Sequence, residues 1–275
     1  MHDILVNTAR FDSWSRDAQY GVRLAALVQA AVTGVYVYPS PLYATPEFGT
    51  PDVIETLTDM SRILEASALG AREAFVDWAA SLGVGQASWM VAQGNLADAL
   101  AQIACWHDLL VLERDDDRTW SKPEDIAGLV LQVGVPCVVV PPRPVGGVSL
   151  ARIAIAWNGA PEVVRAVHAA LPLLQRAEEV LLVRGVSREP HHDVVWKPPF
   201  DIDGYLLRHG IQPRSQDLTT AGQEVGEALL EHARRFDSDL LVMGAFGRSR
   251  FSEWVLGGAT RHVLWHASLP VLLHH

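Results

Sequence analysis

The chain says nearly the same thing twice, and that repetition limits its fold more than any other feature. "HDLLVLERDDD" (107–117) resembles "SDLLVMGAFGR" (238–248), "VPCVVVPP" (135–142) resembles "LPVLLHH" (269–275), and "DILVNTAR" (3–10) resembles "ARIAIAWNGA" (151–160). The pairs fall in the same order in both halves, as expected of one plan built twice. Between the copies, "PRPVGGVSLA" (142–151) has the proline and glycine content of a linker or turn. The reading is therefore two domains, 1–142 and 151–275.

Within each half, short apolar runs alternate with longer helical patterns. In the second half, strands are predicted over 153–156, 180–183, 214–218, 240–243 and 271–273. Helices are predicted over 162–175, 204–209, 221–235 and 253–266, the first of them with Pro161 near its start. In the first half, strands fall near 4–8, 34–38, 87–91, 109–112 and 137–140, and a long helical region runs from about 52 to 82. Continuous apolar strands joined by helices give a parallel sheet covered on both faces. Right-handed crossovers then make it doubly wound.

Composition narrows the function classes. The formal net charge of -10 argues against a nucleic-acid partner, which would select a basic face. No apolar run approaches the roughly 20 residues that cross a bilayer, so no membrane partner is expected. The N-terminus lacks the pattern of an export signal, and cytoplasmic localisation is the expectation. Cys105 and Cys137 make neither a disulfide framework nor a metal quartet, and Cys137 reads as a core residue.

The segment "MGAFGRSRFSEWVLGGATRHVL" (243–264) carries the chemistry. Gly244 and Gly247 leave a strand, and Gly257 and Gly258 precede a helix. Doubly wound sheets bind ligands beyond the carboxyl ends of their strands, where the strand order reverses. Glycines let the backbone approach a ligand, and free amides at the next helix start can hold phosphate oxygens. Arg248, Ser249 and Arg250 add charge and a hydroxyl, while Ser252 also suits an N-cap. The rival reading is a glycine turn and a close helix packing. The loop is not a Walker A sequence, since no Gly-Lys-Ser/Thr ends it, nor the dinucleotide fingerprint, which follows the first strand. No G-x-S-x-G or H-E-x-x-H occurs.

G-x2-G-x9-G after "DLLVMG", followed by a helix and "LPVLL", resembles the universal stress protein domain. The likeness spans nearly all of 151–275 and extends more weakly over the first half, so the whole resembles the tandem form of that family. It implies five-stranded parallel sheets of order 3-2-1-4-5, pairing through the last strands, and two halves related by a pseudo-twofold as two subunits would be. It also implies an adenine-nucleotide site in some members. Where binders end the motif in Ser or Thr, this chain has Gly258; where they usually carry Asp at the end of strand one, it has Asn158. Asn158 can bond ribose or adenine but offers no anionic oxygen to Mg²⁺. Gly159 completes that turn, and Val183 and Arg184 at the end of strand two lie within reach of the base. The first half has Ala9 at the strand-one position and "ERDDDRTWSKPED" after strand four, with Asp115, Asp116 and Asp117 set to repel phosphate. It reads as a degenerate, non-binding partner domain.

The resulting expectation is a cytoplasmic stress-response or signalling module. ATP, with Mg²⁺, would sit at Asn158, Gly159, Val183, Gly244, Gly247, Arg248, Ser249, Arg250, Gly257 and Gly258. No catalytic residue or metal ligand is assigned, at most weak ATPase activity is expected, and the partners are a small molecule, the second half of the chain and, as a homodimer, another copy. The alternative is a scaffold or a binder of another small molecule, with an architectural glycine loop. A third class, an adenylate-forming α-hydrolase-like enzyme, would need a glycine-rich loop after strand one with an ionisable partner, which "AWNGAPE" does not supply. Outside the motif, His191 and His192 beside Asp193 form a weak metal candidate. His262 and His266 share a helix face, and His274–His275 reads as an exposed or frayed end. Most of the nine tryptophans read as core or interface anchors, and 40–52 as a connector or a lid over the cleft.

Overall fold

Each predicted strand forms, and the central ones carry runs of three or four buried residues. The computed structural model describes residues 1–40, 50–115, 122–142, 148–185, 197, 201–219, 224–245 and 258–275. Contacts divide the chain into two units, Met1–Glu113 and Arg114–His275.

The first unit runs β1 (Asp3–Asn7), α1 (Arg16–Val28), β2 (Ala31–Tyr38), α2 (Pro51–Gly70), α3 (Arg72–Ser81), β3 (Ala87–Gln93), α4 (Leu96–Ala104) and β4 (Leu109–Glu113). β1 is central, parallel to β2 on one side and to β4 on the other, with Ile4 opposite both Val32 and Leu109. Ile4, Leu5 and Val6 are fully buried, as a strand covered on both faces requires. The long helical region predicted over 52–82 breaks at Ala71 into α2 and α3. Over β2 and β3, Trp14 stacks on Trp78 (centroids 5.1 Å apart) and meets Phe75 and Trp89 edge-on. Phe75 and Trp89 sit where a Cβ on Gly34 would fall, 2.7 and 2.8 Å away, so only glycine fits there. This cluster bears out the anchor reading for Trp14; Trp106, by contrast, is 81% exposed.

The second unit contains α5 (Pro123–Val133), β5 (Cys137–Val140), β6 (Arg152–Trp157), α6 (Pro161–Leu174), β7 (Glu179–Arg184), α7 (Ile202–Arg208), β8 (Arg214–Asp217), α8 (Val225–Arg235), β9 (Leu240–Gly244), α9 (Gly258–His266) and β10 (Val271–His274). β6 is parallel to β7 and β9, β7 to β8, and β9 to β10. The strand orders are thus 3-2-1-4-5 and 8-7-6-9-10, two doubly wound five-stranded parallel sheets. β5 runs antiparallel to β10, with Val138 opposite Leu272. The buried Cys137 thiol lies in that pair, and burial pushes it far above its ordinary range.

Candidate functional site

In the second unit, β6 stands between β7 and β9 at the point where the strand order reverses. Its carboxyl end therefore faces the crevice where ligands enter this class of sheet. The turn that leaves it is tight. The Asn158 Oδ1 accepts the Ala160 amide hydrogen at 3.1 Å, and Gly159 is left-handed at φ 72°. Pro161 then opens α6 at its first position, where no N–H is missed. The local sequence thus accounts for the turn without a ligand, and Asn158 spends its carbonyl oxygen on it.

Gly244 ends β9 against the first turn of α6. A Cβ there would lie 2.6 Å from the Val163 nitrogen, 2.9 Å from the Glu162 carbonyl carbon and 3.0 Å from the Glu162 Cβ. Helix and strand meet so closely that this glycine has a packing reason. Asn158, Gly159 and Gly244 are thereby brought to one end of the sheet through α6. Val183 also belongs to the end of β7, but its side chain is 1% exposed in the core, leaving only its backbone available. Beside it, Arg184 is held by the Asp203 carboxylate of α7 and by Ser215 of β8.

Gly258 differs from Gly244. It is exposed, begins the described part of α9, and a Cβ on it would meet no described atom within 4 Å. The first amides of a helix have no partner within it and carry the positive end of its dipole. Gly247, Arg248, Ser249, Arg250 and Gly257 lie outside the described residues, as do Ser252, Trp254, His191, His192 and most of the 40–52 segment.

The last residues are not a frayed end, which corrects that expectation. The Ala245 amide donates to the His274 carbonyl at 2.8 Å, and the His275 Nδ1 meets the Ala245 carbonyl at 3.1 Å. Arg165 of α6 donates to the His275 carbonyl at 2.9 Å. Burial lowers the His274 pKa from its ordinary value; the hydrogen bond to the His275 carbonyl opposes this, and the charges of Arg165 and His275 add to the lowering. His262 and His266 stack at 4.2 Å on α9. Among the described residues, no group of three or more His, Cys, Asp and Glu is placed to hold a metal ion. Nor is any helix among them long and apolar enough to cross a membrane.

Buried acids at the strand ends escaped the sequence reading. Glu162, at the second position of α6, is 3% exposed. In the first unit, Asp17 holds the corresponding place in α1 and is fully buried. It accepts from the Ser15 hydroxyl and, at 3.5 Å, from the Asn7 amide. Glu113, 1% exposed at the end of β4, accepts the Arg16 amide hydrogen at 3.1 Å, with the Arg16 Nε 3.7 Å away. Register makes Glu113 the counterpart of Gly244, because Ile4 faces Leu109 as Ile153 faces Leu240. The signal was present in the repeat itself, where "DLLVLE" lies opposite "DLLVMG".

Residues 150–275 match the universal stress protein family. A universal stress protein from Archaeoglobus fulgidus DSM 4304 superposes on 99% of this chain and 97% of its own, with a TM-score of 0.69 and 12% identity. A putative universal stress protein from Pseudomonas aeruginosa UCBPP-PA14 covers 100% and 93%, with a TM-score of 0.57 and 12% identity. A universal stress protein solved in complex with cAMP covers 51% of this chain and 96% of its own, with a TM-score of 0.37 and 18% identity. No curated protein matches the chain.

Proposed function

We propose, from the match of residues 150–275 to the universal stress protein family, that the second half of the chain is a stress-responsive module with an adenine-nucleotide site. The observation that carries this reading is the start of α9. A Cβ at Gly258 would meet no described atom within 4 Å, at the described start of the helix that follows β9 at the reversal of strand order. Phosphate oxygens suit that place. Asn158 would turn its amide nitrogen to ribose or base, since its oxygen is engaged. Gly247, Arg248, Ser249, Arg250 and Gly257 would complete the phosphate cradle. Mg²⁺, when bound with ATP, would neutralise part of the phosphate charge; no residue of this chain is assigned to it. The module acts in the cytoplasm, with its two halves paired, alone or as a homodimer. The role proposed is binding, with at most slow ATP hydrolysis.

A second reading has an observation of its own. Gly244 is required by the approach of α6, and the Asn158 carbonyl oxygen serves its own turn, so both are explained in a scaffold without nucleotide. The two readings part on one experiment. Freshly purified protein is denatured and any released nucleotide identified by mass spectrometry, and the melting temperature is followed with millimolar ATP and Mg²⁺. Released adenine nucleotide or a raised melting temperature supports the site; neither result leaves the scaffold.

A further inference from the structure

The first unit has a strand-end crevice of its own, between β1 and β4 where its strand order reverses, and its polar contents are almost dry. Asn7 is 4% exposed, Thr8 1%, Ser15 0%, Asp17 0% and Glu113 1%. A carboxylate removed from water is strongly penalised unless charge and hydrogen bonds compensate. Glu113 has that compensation from the start of α1: the Arg16 amide, the Arg16 guanidinium and the positive end of the helix dipole. An external oxyanion at a helix start uses the same groups. The fold does not need a side chain at this position, because Gly244 fills the matching register in the other repeat with none.

We propose that Glu113 is a built-in anion that occupies the oxyanion position of the first unit's crevice. The chain's own carboxylate closes this crevice to ligands, and cutting it back opens a site for a small monocarboxylate. The polar lining stays when the side chain is shortened. The Arg16 amide faces the space vacated, and past the end of β1 the buried Thr8 hydroxyl has no hydrogen-bond partner among the described residues. This assignment is independent of whether the second half binds nucleotide. It makes the tandem chain asymmetric by construction, with an anion supplied internally in one crevice and by no residue at the matching position in the other.

The test uses the full chain as wild type, Glu113→Ala and Glu113→Gln, melted in sodium formate and in sodium chloride at equal ionic strength. Glu113→Ala should melt below the wild type in chloride and recover about 3–5 °C in ~0.1 M formate. Wild type and Glu113→Gln, whose crevice stays filled and whose amide oxygen still accepts from Arg16, should show no preference for formate. Should Glu113→Ala not fold in chloride, refolding from urea decides: recovery in formate alone is the expected result. An equal formate effect on all three proteins, or no formate-specific gain or recovery in Glu113→Ala, overturns the proposal.

Discussion

The ends of β4 and β9 occupy one place in two copies of the same plan, and they solve one packing problem in opposite ways. Each must meet the first turn of the helix that follows the central strand. At β9 the side chain is removed: Gly244 lets the backbone of Glu162 and Val163 come into contact. At β4 the side chain is kept and charged: Glu113 reaches to the Arg16 amide. The loop from central strand to helix differs to match, running from Thr8 to Ser15 in the first unit and from Asn158 to Ala160 in the second. A close approach excludes anything larger than hydrogen at the strand end, whereas a looser one leaves a polar gap that must be filled. The gap is filled by Glu113, with Asp17, Ser15 and Asn7 bonded among themselves beside it.

The contrast is broken most severely by exchanging the residues. Gly244→Glu forces a side chain into the α6 backbone and should cost about 3 kcal/mol or more, read as a lower urea midpoint or loss of soluble protein. A near-neutral result would mean that α6 can retreat as α1 has. Next in size, Asp17→Ala removes a buried acceptor from the Ser15 hydroxyl and the Asn7 amide. A loss of about 2–3 kcal/mol in urea unfolding is expected. Gly258→Ser sharpens the other side. Its Cβ meets no described atom within 4 Å, so stability should stay within about 0.5 kcal/mol. If the nucleotide reading holds, the added hydroxyl should enlarge the ATP-dependent rise in melting temperature. The smallest effect concerns His274, at the end of β10. Its pKa is lowered by burial, so the unfolded chain takes up the proton first. Stability should therefore be fully present above the ordinary value of 6.5 and fall as pH drops through the lowered folded value. His274→Gln should flatten that part of the pH–stability profile.

Much of this contrast was readable before any coordinates. The predicted strands start within about three residues of all ten described ones. The central ones were marked by apolar runs, because a strand buried on both faces has no polar alternation to confuse its limits, whereas β8, with the sequence RSQD and every residue exposed, was the weaker reading. The break at Ala71 was not legible, since 52–82 carries one continuous helical pattern and contains no proline after Pro51. Asn158, Gly159, Gly244 and Gly258 stood out through glycine and the repeat. Glu113 did not, because a glutamate ahead of "RDDD" looks like the start of a solvated acidic loop. Its burial depends on α1 arriving beside β4, a long-range fact that local pattern does not hold. Asp17 and Glu162 were hidden the same way, as ordinary acids in a first helical turn.

The antiparallel pairing of β5 with β10 has a consequence for anyone who would express the halves separately. The sequence repeat invites a cut near residue 148, yet the compact unit begins at Arg114 and takes α5 and β5 with it. A fragment starting at 148 would leave the outer backbone groups of β10 unpaired along Val271, Leu272 and Leu273, a sticky apolar ribbon. Such a piece should associate with itself or precipitate, whereas one starting at Arg114 brings its own protective strand.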